Sequence, residues 1–407
     1  MPPADEARLN RWINGIDQFN DTVGDGTTRH YMTATECACR EYIRSEMEKL
    51  GLRVEVDCMG NVHGTLPGTE PELAPVWTGA HFDTVLHGGR FDGVAGVVTG
   101  MEALHLIASS GAAHRRDLTV IAYGGEEPAR FGIGCIGSRA MAGRLSVEDL
   151  KSLGDQDGTV LYDEIASCRR KEGDVFCSLE LHIEQNKVLE ERNLPLGIVK
   201  AICSALNFVV TVTGQAAHAG GMPMDVRKDA YAAACEMSLA LESLVRENRL
   251  SEYCTGTVGY VQLSPNAPNI IPGQVQFTVD IRDCNAASKD ALMNAVQDEF
   301  QKIAEKRDVG LRMELQNNDK PVVSHPVLMA ALEQHAAARG YESCELISGP
   351  FHDSLSLGTF PPVGMLFVPS KAGLSHCPEE WTDSKDLKAG AEVLADALLD
   401  VANRDTL

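Results

Sequence analysis

Residues 75–108 read PVWTGAHFDTVLHGGRFDGVAGVVTGMEALHLIA, and the order of signals within them decides the fold. Residues 75–79 form a short apolar run, predicted as a buried strand that ends just before His81. A glycine-rich turn follows, and then Val94, Val97, Val98, Met101, Leu104, Ile107 and Ala108 repeat at helical spacing. The same alternation continues downstream. Residues 118–123 and 177–183 are further buried-strand patterns, so the chain predicts a mostly parallel sheet covered on both faces by helices. Ligands of such sheets sit beyond the carboxyl ends of the strands.

The chemistry-bearing residues fall at those ends. His81 and Asp83 follow the first strand, Asp92 sits in the glycine turn, and Glu126-Glu127 follow residues 118–123. His182 lies near the end of the third strand, and His376 is in a loop just after a strand at 363–369. Five of these can supply the nitrogen and oxygen ligands of a two-metal site, leaving one carboxylate over. A spare carboxylate beside two metal ions is what a hydrolase needs to take a proton from an activated water. Taken singly, each residue has a plainer reading: Asp92 alone would be an Asp-Gly turn, and adjacent glutamates are usually solvated. His63, His87, His105, His114 and His335 keep the plain reading as surface or core histidines. Asp83, two residues beyond His81, is expected to fix that imidazole from outside the metal shell.

Near residue 206 the pattern changes. Strand 208–213, helix 225–247, strands 256–263 and 274–282, helix 287–306 and strand 311–316 make a βαββαβ unit, the split pattern of ferredoxin-like domains. From about residue 322 the earlier style resumes, with a helix at 327–339 and a closing helix at 384–402. The expected organisation is therefore a large α/β domain, 1–206 and 322–407, interrupted by a small α+β domain at 207–321. No internal repeat or low-complexity segment is evident.

Bulk properties narrow the function. A length of 407 residues suggests two domains, and 44% hydrophobic with 23% charged residues is ordinary for a globular protein. The net charge of −22 argues against a nucleic-acid partner, and an anionic substrate would need locally placed positive charge. Apolar runs break within about ten residues, short of the ~20 that span a bilayer. The twelve cysteines are scattered, with no CxxC and no signal-peptide pattern, so reduced, mostly buried thiols in a cytoplasmic enzyme are expected.

At the residues named above the chain resembles the hydantoinase/carbamoylase family of amidases, within the wider clan of two-metal aminoacylases and carboxypeptidases. The resemblance spans nearly the whole chain. It is carried by GAHFDTVLHGGRFDGVAGV (79–97), EEPARFGIGCIGSRAMAG (126–143), ELHIEQNKVLEERNLPLGIV (180–199), HAGGMPMDVRKDA (218–230), NIIPGQVQFTVDIRD (269–283), GPFHDS (349–354) and FVPSKAGLSHCPEEW (367–381). It implies one divalent metal (Zn, Mn, Co or Ni) held by His81, Asp92 and His182, and a second held by Asp92, Glu127 and His376, with Asp92 bridging. Glu126 would be the general base. Gln185, His218, Asn269, Arg282 and His352 would bind substrate or stabilise the transition state. The small domain would act as a lid and make a homodimer.

Alternation along residues 274–282 supports Arg282 independently: Val275, Phe277, Val279 and Ile281 face one side, so Arg282 faces the other, available as a bidentate carboxylate clamp. His218 could donate to a developing oxyanion.

The activity implied is hydrolysis of the ureido C–N bond of an N-carbamoyl-L-amino acid to amino acid, carbon dioxide and ammonia. Allantoate, β-ureidopropionate or N-acyl-amino-acid hydrolysis are the alternatives, with a catalytically silent metal-stabilised binding protein as the reading from another class. The chain departs from the commoner family pattern at Gly124-Gly125, Pro128, Asn186, Gly221-Met222, Phe351 and Cys377. None of these is a proposed ligand, so the departures bear on the substrate and leave the chemistry alone.

Overall fold

The computed structural model describes residues 1–155, 158–161, 175–358 and 360–407. Two compact units emerge: Met1–Lys200 with Val323–Ser348 and His352–Leu407, and Ala201–Val322 with Gly349–Phe351.

In the larger unit the runs read as buried strands form the centre of a nine-stranded sheet. Leu118–Tyr123, Val76–His81, Cys177–Ile183 and Val363–Val368 lie side by side in that order, all parallel and buried along their whole length. Burial on both faces is why they read as near-continuous apolar runs. Antiparallel strands flank them: Val62–Leu66 and Arg53–Val56 on one side, Leu196–Ile202 on the other. The unit is thus a mixed α/β fold with a central, mostly parallel sheet.

Helices Val94–Ser110 and Ser384–Ala402 pack on the central strands and on each other. The first is apolar nearly all round, with thirteen of its seventeen residues buried, as a helix sandwiched in a core must be. The first strand runs further than its sequence pattern suggested. It continues through His81, which pairs with Tyr123, so the imidazole is held by a sheet ladder and not by a loop.

The smaller unit has four antiparallel strands in the order Gly310–Asn318, Ser204–Thr213, Gln274–Asp283, Cys254–Ser264, with helices Ala230–Glu247 and Ala286–Lys306. Phe208, Val210, Val275, Phe277, Val279 and Ile281 meet Met237, Leu241, Val296 and Phe300 in its core. The first of these helices starts at Ala230 and not near 225, because Asp229 caps it by accepting from the N–H groups of Tyr231 and Ala232.

Among the described residues, no helix is long and apolar enough to cross a membrane. The cysteines differ from expectation. Ten are free thiols, but only Cys39, Cys135, Cys177 and Cys203 are buried, and Cys58 is disulfide-bonded. Cys168 lies outside the described residues. Cysteine is small enough to be tolerated at half-exposed positions, so its frequent burial is a poor guide to any one site.

Candidate metal centre

Because the central strands are parallel, their carboxyl ends gather at one edge of the larger unit, and six chemistry-bearing residues gather with them. His182 Nε2 lies 3.3 Å from Asp92 Oδ1, and His81 Nε2 lies 3.7 Å from the same oxygen. On the other side His376 Nε2 lies 3.0 Å from Asp92 Oδ2 and 3.2 Å from Glu127 Oε1. Asp92 therefore offers one oxygen to each of two potential ligand sets, His81–Asp92–His182 and Asp92–Glu127–His376. Glu126 Oε2 stands 3.9 Å from His81 Nε2 and belongs to neither of these two, although with His81 and Glu127 it forms a third group of converging donors.

The backbone dictates how the imidazoles point. His81 Nδ1 donates to the Asp83 carbonyl at 3.0 Å and His182 Nδ1 to the Ile183 carbonyl at 3.1 Å. A carbonyl can only accept, so both neutral rings carry their proton on Nδ1 and turn the Nε2 lone pair inward, as a ligand must. Asp83 meets the ring through its main chain. Its carbonyl orients His81, while its carboxylate, 3.7 Å from that ring, accepts from the N–H groups of Glu126 and Glu127 at 3.1 Å each. One residue sets both an imidazole and the glutamate pair. Gly93, which opens the helix after Asp92, has φ +64°, and a Cβ there would lie 2.5 Å from the His81 ring. Only glycine meets both conditions. Gln185 and His376 are also left-handed, at φ +55° and +57°, an uncommon conformation for such residues.

The electrostatics ask for cations. Burial disfavours a charged His81, but the carboxylates of Glu126, Asp92 and Asp83 outweigh it and hold its pKa well above the ordinary value. Hydrogen bonds to Asp92 and Glu127 push His376 up to about 11. Burial lowers His182 to about 4 and raises Glu126 well above the usual carboxylate range. Protons are drawn onto groups whose lone pairs converge, so the donor set fits divalent metal ions, which would replace those protons.

A prediction follows for metal-stripped protein. At pH 8 His376 is protonated and must become neutral to ligate, so metal uptake expels protons and affinity rises with pH. Calorimetric titration of a divalent metal in buffers of different ionisation enthalpy reads this directly, and heats independent of buffer would exclude it. Without metal the raised pKa of His376 contributes stability that is fully present below the ordinary imidazole value and is lost as pH rises through about 11.

Residues 65–400 match the model of peptidase family M20/M25/M40. The chain belongs to this family. An N-carbamoyl-L-amino acid amidohydrolase of Geobacillus stearothermophilus is 38% identical, over 95% of this chain and 96% of the relative. A ureidoglycolate hydrolase of Arabidopsis thaliana is 34% identical, over 96% of this chain and 85% of the relative. The crystal structure of a hydantoinase/carbamoylase family amidase from Burkholderia multivorans matches with a TM-score of 0.90 and 31% identity, over 100% of this chain and 99% of that one. The resemblance read from the sequence segments therefore holds.

In this M20 chain the remaining residues named from sequence divide between the units. Gln185 and His352 belong to the larger one. Gln185 Nε2 donates to Asp92 Oδ1 at 3.1 Å, and the buried His352 ring lies 4.4 Å from that of His182, with Nε2 2.8 Å from Ser348 Oγ. His218, Asn269 and Arg282 belong to the smaller unit. Strand Ala217–His218 pairs with Ile270–Ile271, so His218 and Asn269 are neighbours. His218 is exposed, and its Nδ1 accepts from the N–H groups of Gly220 and Gly221 at 3.1 Å each. Its proton is thus on Nε2, facing outward as a donor. Arg282 pairs with Asp280 at 3.1 Å and lies 5.7 Å from the Phe351 ring centre.

Two features escaped sequence reasoning. Glu380 is buried and accepts the N–H groups of Phe91 and Asp92. Glu180 and Asp353 are buried carboxyls, raised by burial to about 8 and about 7. The available signal was a carboxylate inside an apolar strand, Glu180 in LELHI, which has no cheap place to go unless partnered.

Proposed function

We propose that the chain is a two-metal amidohydrolase acting on N-carbamoyl-L-amino acids. The observation that carries this reading is the arrangement of two ligand sets sharing Asp92; Glu126 lies in neither, and we read its closeness to His81 and Glu127 as that of a base beside the metals and not of a ligand. His81, Asp92 and His182 would hold one divalent ion and Asp92, Glu127 and His376 the other. Zinc, manganese, cobalt and nickel all suit histidine and carboxylate donors without thiolate. Such ions, when bound, supply Lewis-acid polarisation of the carbamoyl oxygen and activation of a water.

The residues do the rest. Glu126 takes a proton from the attacking water as it adds to the carbamoyl carbon; burial raises its proton affinity, which suits a group that must take a proton and give it back. The outward Nε2–H of His218 is the donor for the developing oxyanion. Glu126 then passes the proton to the departing amino-acid nitrogen, and the carbamate released decomposes to carbon dioxide and ammonia. Arg282, with Asn269, would grip the substrate carboxylate. Pairing with Asp280 and the Phe351 ring holds the guanidinium in place, so little freedom is lost when a carboxylate arrives. Residues 207–321 would act as the lid and as the dimerisation domain, in a cytoplasmic enzyme.

The relative named ureidoglycolate hydrolase favours a second reading within the same chemistry, a small ureido acid outside the amino-acid series. Ammonia release from manganese-loaded protein separates the two. The panel is N-carbamoyl-L- and D-amino acids, β-ureidopropionate, allantoate and ureidoglycolate, with a chelator control and an amine assay for N-acetyl-amino acids. We expect chelator-sensitive release from an L-carbamoyl compound. In the same assay Arg282→Lys should raise KM by about 10–100-fold with kcat nearly kept, the cost of a lost bidentate contact. Turnover of ureidoglycolate or allantoate alone would move the substrate, an unchanged KM would remove the clamp, and silence in both assays would favour a binding protein.

A further inference from the structure

Glu380 joins two loops that the sequence separates by 288 residues. Its Oε1 accepts from the backbone N–H groups of Phe91 at 2.8 Å and Asp92 at 2.9 Å, and its Oε2 accepts the Ser375 hydroxyl at 2.8 Å. Ser375 directly precedes His376, and Asp92 is common to both ligand sets. The Ser375 oxygen in turn accepts from Gln185 Nε2 at 3.0 Å, the same nitrogen that reaches Asp92 Oδ1. Asp92 is therefore fixed twice, through its main chain by Glu380 and through its side chain by Gln185. Glu379, next door, is exposed and takes no part.

A second observation comes from the glycine turn. A Cβ built on Gly89 would lie 2.0 Å from the Glu380 carboxyl carbon and 2.1 Å from its Oε1. The absence of a side chain at 89 makes the space in which this carboxylate sits.

We propose that Glu380 is a positioning residue that sets the spacing of the two ligand sets, by fastening the Asp92 turn to the loop that carries His376. This rests on the reading of Asp92 and His376 as metal ligands. Glu380 touches neither metal nor substrate; it acts through the ligands. Partners that orient ligands in this way typically account for about 10–100-fold in metal affinity. Glu380→Gln keeps an acceptor for the Phe91 and Asp92 N–H groups, whereas Glu380→Ala leaves both buried without one.

The test is titration of manganese into the metal-stripped full chain, with circular dichroism as the folding control. Wild type, Asp92→Asn, Glu380→Ala, Glu380→Gln and Ser375→Ala are compared. Glu380→Ala should weaken manganese binding about 10–100-fold with the fold retained. Glu380→Gln should restore most of that loss, a rescue that a general packing defect would not show. Affinity within twofold of wild type in Glu380→Ala overturns the proposal. Should that variant not fold, Ser375→Ala decides, because it removes the hydroxyl that ties Glu380 to the residue before His376 and to Gln185 and Asp92; unchanged affinity there also overturns it. Wild-type affinity in Asp92→Asn would sink the metal-centre reading itself. Weak binding in Asp92→Asn with normal binding in Glu380→Ala would remove only the role given to Glu380.

Discussion

Glu126→Gln is expected to keep its metal and its fold and to lose roughly 10²–10⁴-fold in kcat, the share a positioned acid–base group usually supplies. The carboxamide has the same shape and lies outside both sets that share Asp92, so metal content measured on the purified variant should equal that of wild type. KM should change little, because the proton transfer is felt in the transition state and not in binding. The buried Glu126 carboxylate is disfavoured by burial and by the neighbouring Glu127, Asp353 and Asp83. Removing its charge should therefore raise the thermal midpoint of metal-stripped protein at pH 8. Turnover within tenfold of wild type would exclude Glu126 as the base.

Asp92→Asn should be the most damaging single change. Asp92 is the one residue that serves both ligand sets, and it is 4% exposed. Hydrogen bonds from His376 and His81 outweigh burial and hold its pKa well below the usual carboxylate range, so it stays ionised at any working pH. The amide removes that charge and one acceptor oxygen from the point where both sets meet. Metal content should fall below one equivalent, and turnover should drop by at least about 10³-fold, equivalent to about 4 kcal/mol. Two equivalents retained in Asp92→Asn would show that the ions, if bound, do not share this residue.

Much of this was legible in the sequence because burial leaves a simple trace. Residues 118–123 and 177–183 form strands with the predicted limits, since a strand buried on both faces is mostly apolar, and the polar residues it does carry, such as Glu180 and His182, stand out. Parallel packing then brings His81, Glu126-Glu127 and His182 to one edge, as the strand ends implied. The alternation along Gln274–Asp283 was equally plain, and its burial follows the predicted phase. The strands that flank the parallel centre left weaker traces. The antiparallel strands Arg53–Val56 and Leu196–Ile202 were not anticipated; the first is mostly exposed and the second lacks alternation.

The residues that hold the ligands were harder still. Asp83 was named from its spacing to His81, but it reaches the ring through its carbonyl, and its carboxylate bonds to the Glu126 and Glu127 N–H groups were not foreseen. Glu380 sits beside Glu379 in CPEEW, and only tertiary closure shows which of the two turns inward. Contacts between distant segments are absent from local periodicity, which is the only signal a single sequence offers.

The position of Val363–Val368 carries one more implication, for how the chain comes off the ribosome. That strand lies between Cys177–Ile183 and Leu196–Ile202, near the middle of the sheet, yet it is among the last segments to be synthesised. Until it arrives, the hydrogen-bonding edge of Cys177–Ile183 has no permanent neighbour. Helix Ser384–Ala402, which covers helix Val94–Ser110, comes later still. Domains tend to fold from the N-terminus as synthesis proceeds, at about 5–20 residues per second. For roughly ten seconds or more, then, the nascent chain presents His81, Asp92 and His182 beside an open slot of strand width. His81, Asp92 and His182 are thus made well before His376, and the cluster of donors around Asp92 is completed only when the last segments of the chain arrive.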